Sequence, residues 1–390
     1  MSHFLSERPN LMRRTILLLF VSLIAACSTQ GVQIPALEKN TQVTIFLPGF
    51  KGSILENKNG EARWITLSDA LIGRHSLALR NEKLGISNEV LVATSVLSNV
   101  TVVPKIFEFD IYGDVLQRLT QKSDVTVPLY YDWRLDFLEH VKRLAVQVDS
   151  FKAQKKAVRL VGHSFGGIIV AYYLRYGIQD VDTAIENWHG ASLVQSAILL
   201  GAPFNGALEM LHDMQYGDWT ILNRSLLTAE ALSSFPSSYQ LLPRDEIYIE
   251  SAGPAIFNVN VWKENHWGLF DDEDLSKELV NTRSQFVADN LLRAKKLGQL
   301  LHAAIKGLPP SFQLLNVIGI GHKTVHSVAW DARHRKINFG KNTVEDGDGV
   351  VMESSATLPG SFALIKGATQ IRQKASHLGL LKLPAITAHP

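Results

Sequence analysis

The residue pattern with the clearest chemical meaning in this 390-residue chain is a serine between two glycines, Gly162-His163-Ser164-Phe165-Gly166. A nucleophile held on a sharp strand-to-helix turn needs neighbours without side chains. The backbone is strained there and the adjoining elements approach closely. The apolar run AVRLV precedes the serine and the helical pattern GIIVAYYL follows it, the context such a turn requires. A serine hydroxyl is a weak nucleophile at neutral pH. The pattern therefore calls for a histidine base and an orienting carboxylate, in the chain order Ser, Asp, His.

Both partners are present downstream. EDGDGVVMESSA sets Asp346 and Asp348 among glycines, after the last apolar strand candidate. Asp348 is the first choice, because D-G-V-V leads back into apolar structure and places the carboxylate at an element end. Asp346 is the alternative, and for either one a turn-forming or cation-binding aspartate is the plainer explanation. His377, in KASHLGLL, is the expected base; His322 and His326 precede the aspartates, and His389 lies in a terminal stretch. The oxyanion of a tetrahedral intermediate needs two aimed backbone N–H groups. Phe165, directly after the serine, is expected to supply one. Phe50, in the loop after VTIFLPG, is expected to supply the other, although PGFKG taken alone reads as an ordinary turn. This chemistry uses no cofactor and no metal.

These residues need a rigid frame. Five runs rich in Val, Ile and Leu stand between turn residues: VTIFLPG, VTVPLYYDW, AVRLVGHS, SAILLGAP and LLNVIGIG. Continuous apolar runs of this length suit strands buried on both faces of a parallel sheet. LDFLEHVKRLAVQVDSFKAQ and GIIVAYYLRYGIQ carry helical spacing between them, so an α/β sheet flanked by helices is expected, starting near Thr41. From Gly206 to about Pro310 helical stretches follow one another with few strand candidates, as in a cap inserted into the sheet. Met210, Met214, Trp219, Trp262 and Trp267 concentrate there and are expected to give a lid an apolar face toward lipid, the alternative being ordinary core. The acidic run DDEDLSKE reads as a solvated helix start.

Hydrophobic residues make up 46% of the chain, enough for a sizeable core, and the formal net charge is only +2. Lys and Arg are scattered rather than gathered in a stripe, so nucleic acid is not an expected partner. Arg13 and Arg14 precede the apolar run TILLLFVSLIAA and then Cys27, the outline of a secretory signal too short to span a bilayer comfortably. LIAAC also resembles a bacterial lipobox. Residues 1–27 are therefore expected to be a signal ending in a lipidated Cys27, residues 28–40 a tether, and 41–390 the folded body. Such a protein would be exported to the bacterial cell envelope and held by acyl chains on a membrane, the outer membrane being the expected one, beside its substrate pool. Cys27 is the only cysteine, so the body has no internal disulfide and no cysteine-based metal site.

LPGFKGSILE, PLYYDWRLD, LVGHSFGG, LLGAPFNGA, FPSSYQLLP, VIGIGHKT and EDGDGVV together resemble the lecithin:cholesterol acyltransferase family of α/β-hydrolases, in the family's order. The resemblance implies that Ser164, Asp348 and His377 form the triad, and that a mobile lid follows LLGAPFNGA. It also implies that Asp132, Trp133 and Arg134 line or brace the active-site face; without it, Asp132 and Arg134 read as a structural ion pair. FNG replaces the aromatic and paired glycine usual after GAP, and no protein partner can be inferred. The chain thus reads as a serine esterase or O-acyltransferase acting on lipid acyl esters. The rival reading is a catalytically silent scaffold that binds lipid or protein.

Overall fold

The computed structural model describes residues 42–66, 69, 75–103, 107–121, 125–218, 223–244, 249–250, 253–272, 274–304, 309–310, 312–360 and 362–388. The expected signal and tether at 1–40, with Cys27, lie outside the described residues, as do Trp219 and His389. Among the described residues no helix is long and apolar enough to cross a membrane.

Strand β1 (Val43–Leu47) is followed by two small antiparallel sheets, β2 (Ser53–Glu56), β3 (Ala62–Trp64) and β4 (Val92–Val96), then β5 (Asn99–Val103) and β6 (Phe107–Asp110). Helix α1 (Gly113–Gln121) leads to β7 (Val125–Pro128), α2 (Phe137–Ala153), β8 (Val158–His163), α3 (Phe165–Tyr176), α4 (His189–Leu193) and β9 (Ser196–Leu200). A helical insertion then holds α5 (Leu208–Tyr216), α6 (Ala229–Ser233), α7 (Pro236–Gln240), the short strand β10 (Ile249–Glu250), α8 (Val259–Glu264) and α9 (Lys277–His302). The chain returns through β11 (Gln313–Ile320), a long hairpin of β12 (His322–Asp331) and β13 (Lys336–Gly347), and β14 (Ala368–Lys374).

Six strands form one parallel sheet in the order β14-β11-β9-β8-β1-β7. All five apolar runs lie in it. Their side chains alternate between two buried faces: Val43, Ile45 and Leu47 enter one core with Leu160 and Leu199, while Phe46, Val161, Ile198 and Leu200 enter the other. Period-two alternation with apolar residues on both faces, interrupted only by buried polar residues such as Thr44 and Asn316, is what a sheet covered on both sides demands. Helix α3 is buried along its whole length beside α2 and α4, and α1 covers the opposite face. Burial of each large apolar side chain contributes about 1.5–3 kcal/mol, so these two layers fix the sheet that carries the Ser164 turn. Asp136 caps α2 by accepting from the Leu138 amide, and Ser276, within the acidic run, caps α9 by accepting from Leu279.

Candidate active site

Ser164 sits between β8 and α3 with φ 54° and ψ −122°, a conformation that side-chain-bearing residues rarely adopt. The surroundings hold it there: its amide donates to Leu200 O at 2.8 Å, and its carbonyl accepts from Gly167 at 2.9 Å. Glycine at 166 is a steric requirement, since a Cβ there would lie 2.5 Å from the carbonyl oxygens of both Leu47 and Pro48. Glycine at 49 is another, because a Cβ there would come within 2.9 Å of Ser164 Cβ. The loop after β1 is therefore pressed directly against the serine.

Asp348 and His377 meet beside it. His377 Nδ1 lies 2.7 Å from Asp348 Oδ2, and the His377 amide donates to Asp348 O at 2.9 Å. Asp348 is 2% exposed and accepts from the Val350 and Val351 amides at 3.0 and 2.7 Å through its other carboxylate oxygen. Burial alone would raise its pKa; the His377 hydrogen bond and charge, with the two amides, outweigh burial and hold the carboxyl below the usual aspartate value. Asp346 is exposed and bonds the Gly321 and Gly347 amides instead, so of the two aspartates it is Asp348 that touches the histidine. His322 is exposed, and His326 pairs with Glu345 at 3.0 Å. Gly201, next to the Leu200 that holds Ser164, abuts both partners: a Cβ there would lie 3.0 Å from Asp348 Oδ2 and 3.2 Å from His377 Nδ1. Ser164 Oγ forms no hydrogen bond among the described residues, and the contact between its turn and His377 runs through the neighbouring His163, whose ring centre lies 4.6 Å from that of His377.

Two residues not singled out in the sequence join the loops around Ser164. Gly49 N–H donates to the Tyr112 hydroxyl at 2.9 Å, and that hydroxyl lies 3.0 Å from His163 Nδ1. His163 Nε2 lies 3.1 Å from the His377 carbonyl oxygen. A carbonyl only accepts, so Nε2 carries the ring proton, Nδ1 accepts, and Tyr112 O–H donates to it. Burial, aided by the nearby His377, pushes the His163 pKa down to about 3 and keeps the ring neutral. One chain of hydrogen bonds thus runs from the loop after β1 to the backbone of His377. His163 stood in the sequence only as a variable position of the glycine–serine pattern. Tyr112, in IYGD, carries no spacing signal at all.

The Gly49 amide being engaged, the next donor in that loop is Phe50, whose amide has no acceptor among the described residues. Phe165 begins α3, and its amide is one of those a helix leaves without an internal acceptor. The Phe50 ring packs edge-on against Trp133 at 5.0 Å, and Trp133 donates from Nε1 to Ser53 O at 3.1 Å. Arg134 grips Asp132 through two hydrogen bonds of 2.9 and 2.7 Å and reaches Leu77 O at 3.0 Å. All three side chains are buried: Trp133 packs against the Phe50 ring, while Asp132 and Arg134 form an ion pair tied to the Leu77 carbonyl.

The cap requires a correction. Met210, Met214, Trp262 and Trp267 are buried, with Trp262 5.7 Å from Trp267 and Trp267 6.0 Å from Trp330. In this structure they belong to the same continuous core as the strands of the sheet and present no apolar face to the surface, because the cap helices bury their apolar stripes against the body. The cap meets the Phe50 loop through an ion pair between Lys51 and Asp218, just after α5. Burial would lower the Lys51 pKa, but Asp218, Asp213 and Glu209 raise it above the ordinary lysine value. Among the described residues no cluster of His, Cys, Asp or Glu is arranged to hold a metal ion.

Comparison with solved structures places this fold beside the crystal structure of the Tle4–Tli4 complex, 12% identical, with a TM-score of 0.53 over 90% of this chain and 97% of that one. The mature form of Bacillus licheniformis lipase BlEst2 is 13% identical, with a TM-score of 0.37 over 90% of this chain and 91% of that one. At such identities the first likeness speaks for the fold, an α/β-hydrolase. No curated protein matched the sequence. The profile of the family described as "Lecithin:cholesterol acyltransferase" does match it, over residues 104–308. That stretch is more than half of the chain and contains the strained Ser164 turn, and by it this protein belongs to the lecithin:cholesterol acyltransferase family.

Proposed function

We propose that this protein is a serine esterase that cleaves acyl esters of lipids through an acyl-Ser164 intermediate. The observation that carries the reading is the 2.7 Å hydrogen bond from His377 Nδ1 to the buried Asp348, on loops that abut the strained Ser164 turn. Family membership supports the lipid ester as substrate class. With Nδ1 protonated and held by Asp348, His377 Nε2 is free to accept a proton. Ser164 Oγ attacks the ester carbonyl carbon as its proton passes to Nε2, and the oxyanion that forms is met by the Phe50 and Phe165 amides. Collapse breaks the bond to the alcohol, which leaves with the proton returned from Nε2. An incoming water or alcohol then loses its proton to the same nitrogen and attacks the acyl carbon; collapse breaks the acyl–Oγ bond, and Ser164 Oγ takes the proton back from Nε2. Water is the default acceptor, and an alcohol competes only where the closed site excludes water.

A fluorophosphonate probe tests the reading. The wild-type protein should be labelled at Ser164, and Ser164→Ala should be neither labelled nor active on a soluble ester. Asp348→Asn should lower turnover by roughly 10³- to 10⁴-fold, while Asp346→Asn leaves it nearly unchanged. Absence of labelling on a folded wild-type protein would instead assign the chain to silent lipid-binding scaffolds.

A further inference from the structure

The hairpin of β12 and β13 is absent from the reaction just described, yet it is rooted in it. Its base pairs His322 with Gly347, directly before Asp348, and its tip pairs Asp331 with Lys336. Nine residue steps at about 3.4 Å set tip and base roughly 30 Å apart. The tip is DARHRKINFGK, in which Arg333, Arg335, Lys336 and Lys341 are all exposed. Elsewhere Arg63, Arg118, Arg283 and Arg293 each reach a carboxylate, Arg244 is held by backbone carbonyls and Arg143 stands over the Tyr130 ring. Among the described residues no carboxylate pairs with the four cations of the tip, and Asp331 is engaged by His334 at 2.8 Å. Leaving four like charges side by side in solution is unfavourable unless a counter-charge is met in use.

The tip is also tied to the cap helix that reaches the Phe50 loop. Tyr216 donates to Ile337 O at 2.9 Å, the Phe339 ring lies 4.9 Å from that of His212, and Lys336 stands 5.6 Å over the Tyr216 ring. Between the tip and α5 lies an open recess of about 360 Å³ with Tyr216 and Phe339 as walls and His334 and Lys336 among its lining residues. Aromatic walls beside cations suit the boundary between headgroup and acyl chain, where an amphipathic ring is at home. Two residues beyond Tyr216, at this same end of α5, is Asp218, paired with Lys51, the residue after Phe50.

We infer that the β12–β13 arm is a docking device for anionic lipid surfaces, with the basic tip meeting the headgroups and seating the molecule with α5 toward the bilayer. The fit is one of charge: four exposed cations within nine residues, none with a carboxylate partner among the described residues, face a surface whose negative potential extends about one Debye length. The inference deepens the lipid-ester reading and rests on it for its purpose, but its test is separate, since a soluble ester reports on Ser164 alone.

The experiment is co-sedimentation of the full chain with phosphatidylcholine vesicles, with and without phosphatidylglycerol, at low and high salt. The apolar segment at residues 15–26 is common to every protein compared, so the readout is the ratio of binding to anionic over neutral vesicles. The ratio should be well above one and should fall toward one as salt rises. Replacing Arg333, Arg335 and Lys341 together by Gln should lower it by roughly a hundredfold, at about fivefold per cation, with soluble-ester hydrolysis unchanged. Equal binding of the wild type to both vesicle types would overturn the inference, whatever the variant does. So would binding to polyglutamate without binding to vesicles, which would assign the tip to an acidic peptide.

Discussion

At the scale of single residues, the Tyr112 hydroxyl is the hinge of the arrangement. It accepts from the loop that presents Phe50 and donates to the histidine that holds the His377 backbone, so its removal loosens both sides of Ser164 together. Tyr112→Phe should leave His163 Nδ1 buried without a donor, a stability cost of about 1–3 kcal/mol. Its kinetic effect should be a fall in kcat of roughly 10- to 100-fold with KM little changed, because misplaced catalytic groups weaken the transition state more than substrate binding. Steady-state rates on a soluble ester decide it, and an unchanged kcat would sink the positioning role. The roles proposed for Ser164, Asp348 and His377 could be read before any coordinates because their chain order and glycine neighbours leave a mark in one dimension. Tyr112 left none, since its meaning lies wholly in what it touches after folding.

At the scale of elements, legibility follows burial. Five sheet strands were readable as apolar runs because both of their faces are covered. The sixth, β14, reads ATQIRQK and escaped notice: it lies at the sheet edge and alternates between half-buried and exposed positions. The arm was missed for the same reason, since much of β13 is exposed. The helical cap was readable as an insertion, but concentration of Trp and Met could not tell an inner face from an outer one. Where elements cross most tightly the margin is smallest. A Cβ at position 166 would meet two carbonyl oxygens of the β1 loop, backbone atoms that cannot rotate aside as a side chain could. Gly166→Ala should therefore cost at least about 1–3 kcal/mol, read as a lower denaturant midpoint, and should impair turnover by pushing the Phe50 loop away. A shift below about 0.5 kcal/mol would mean that β1 and α3 move apart freely.

At the scale of the whole molecule, buried histidines tie stability to pH. His163 is held down to about 3 and His140, stacked 4.3 Å from Tyr131, to about 4, both chiefly by burial, against an ordinary value of 6.5. As pH falls below 6.5 the unfolded chain takes up these two protons while the folded one does not, so stability falls with pH across that window. The contribution of Asp348, whose pKa is also depressed, is lost in the same direction at more acid pH. Each histidine contributes a slope of up to about 1.4 kcal/mol per pH unit. Denaturant unfolding from pH 6.5 down to 4.5 should show that loss, and His140→Phe should flatten it by about one histidine's share; a pH-independent midpoint would contradict the buried neutral rings. The place of β14 has a further consequence, in time instead of space. More than 200 residues separate Ser164 from His377, and His377 is positioned only once this last edge strand has paired with β11. At a synthesis rate of about 5–20 residues per second, the proposed nucleophile leaves the ribosome roughly 10–40 s before its base. Throughout that interval the growing chain has a serine with no histidine to activate it, so the proposed esterase is inert until its final strand is in place.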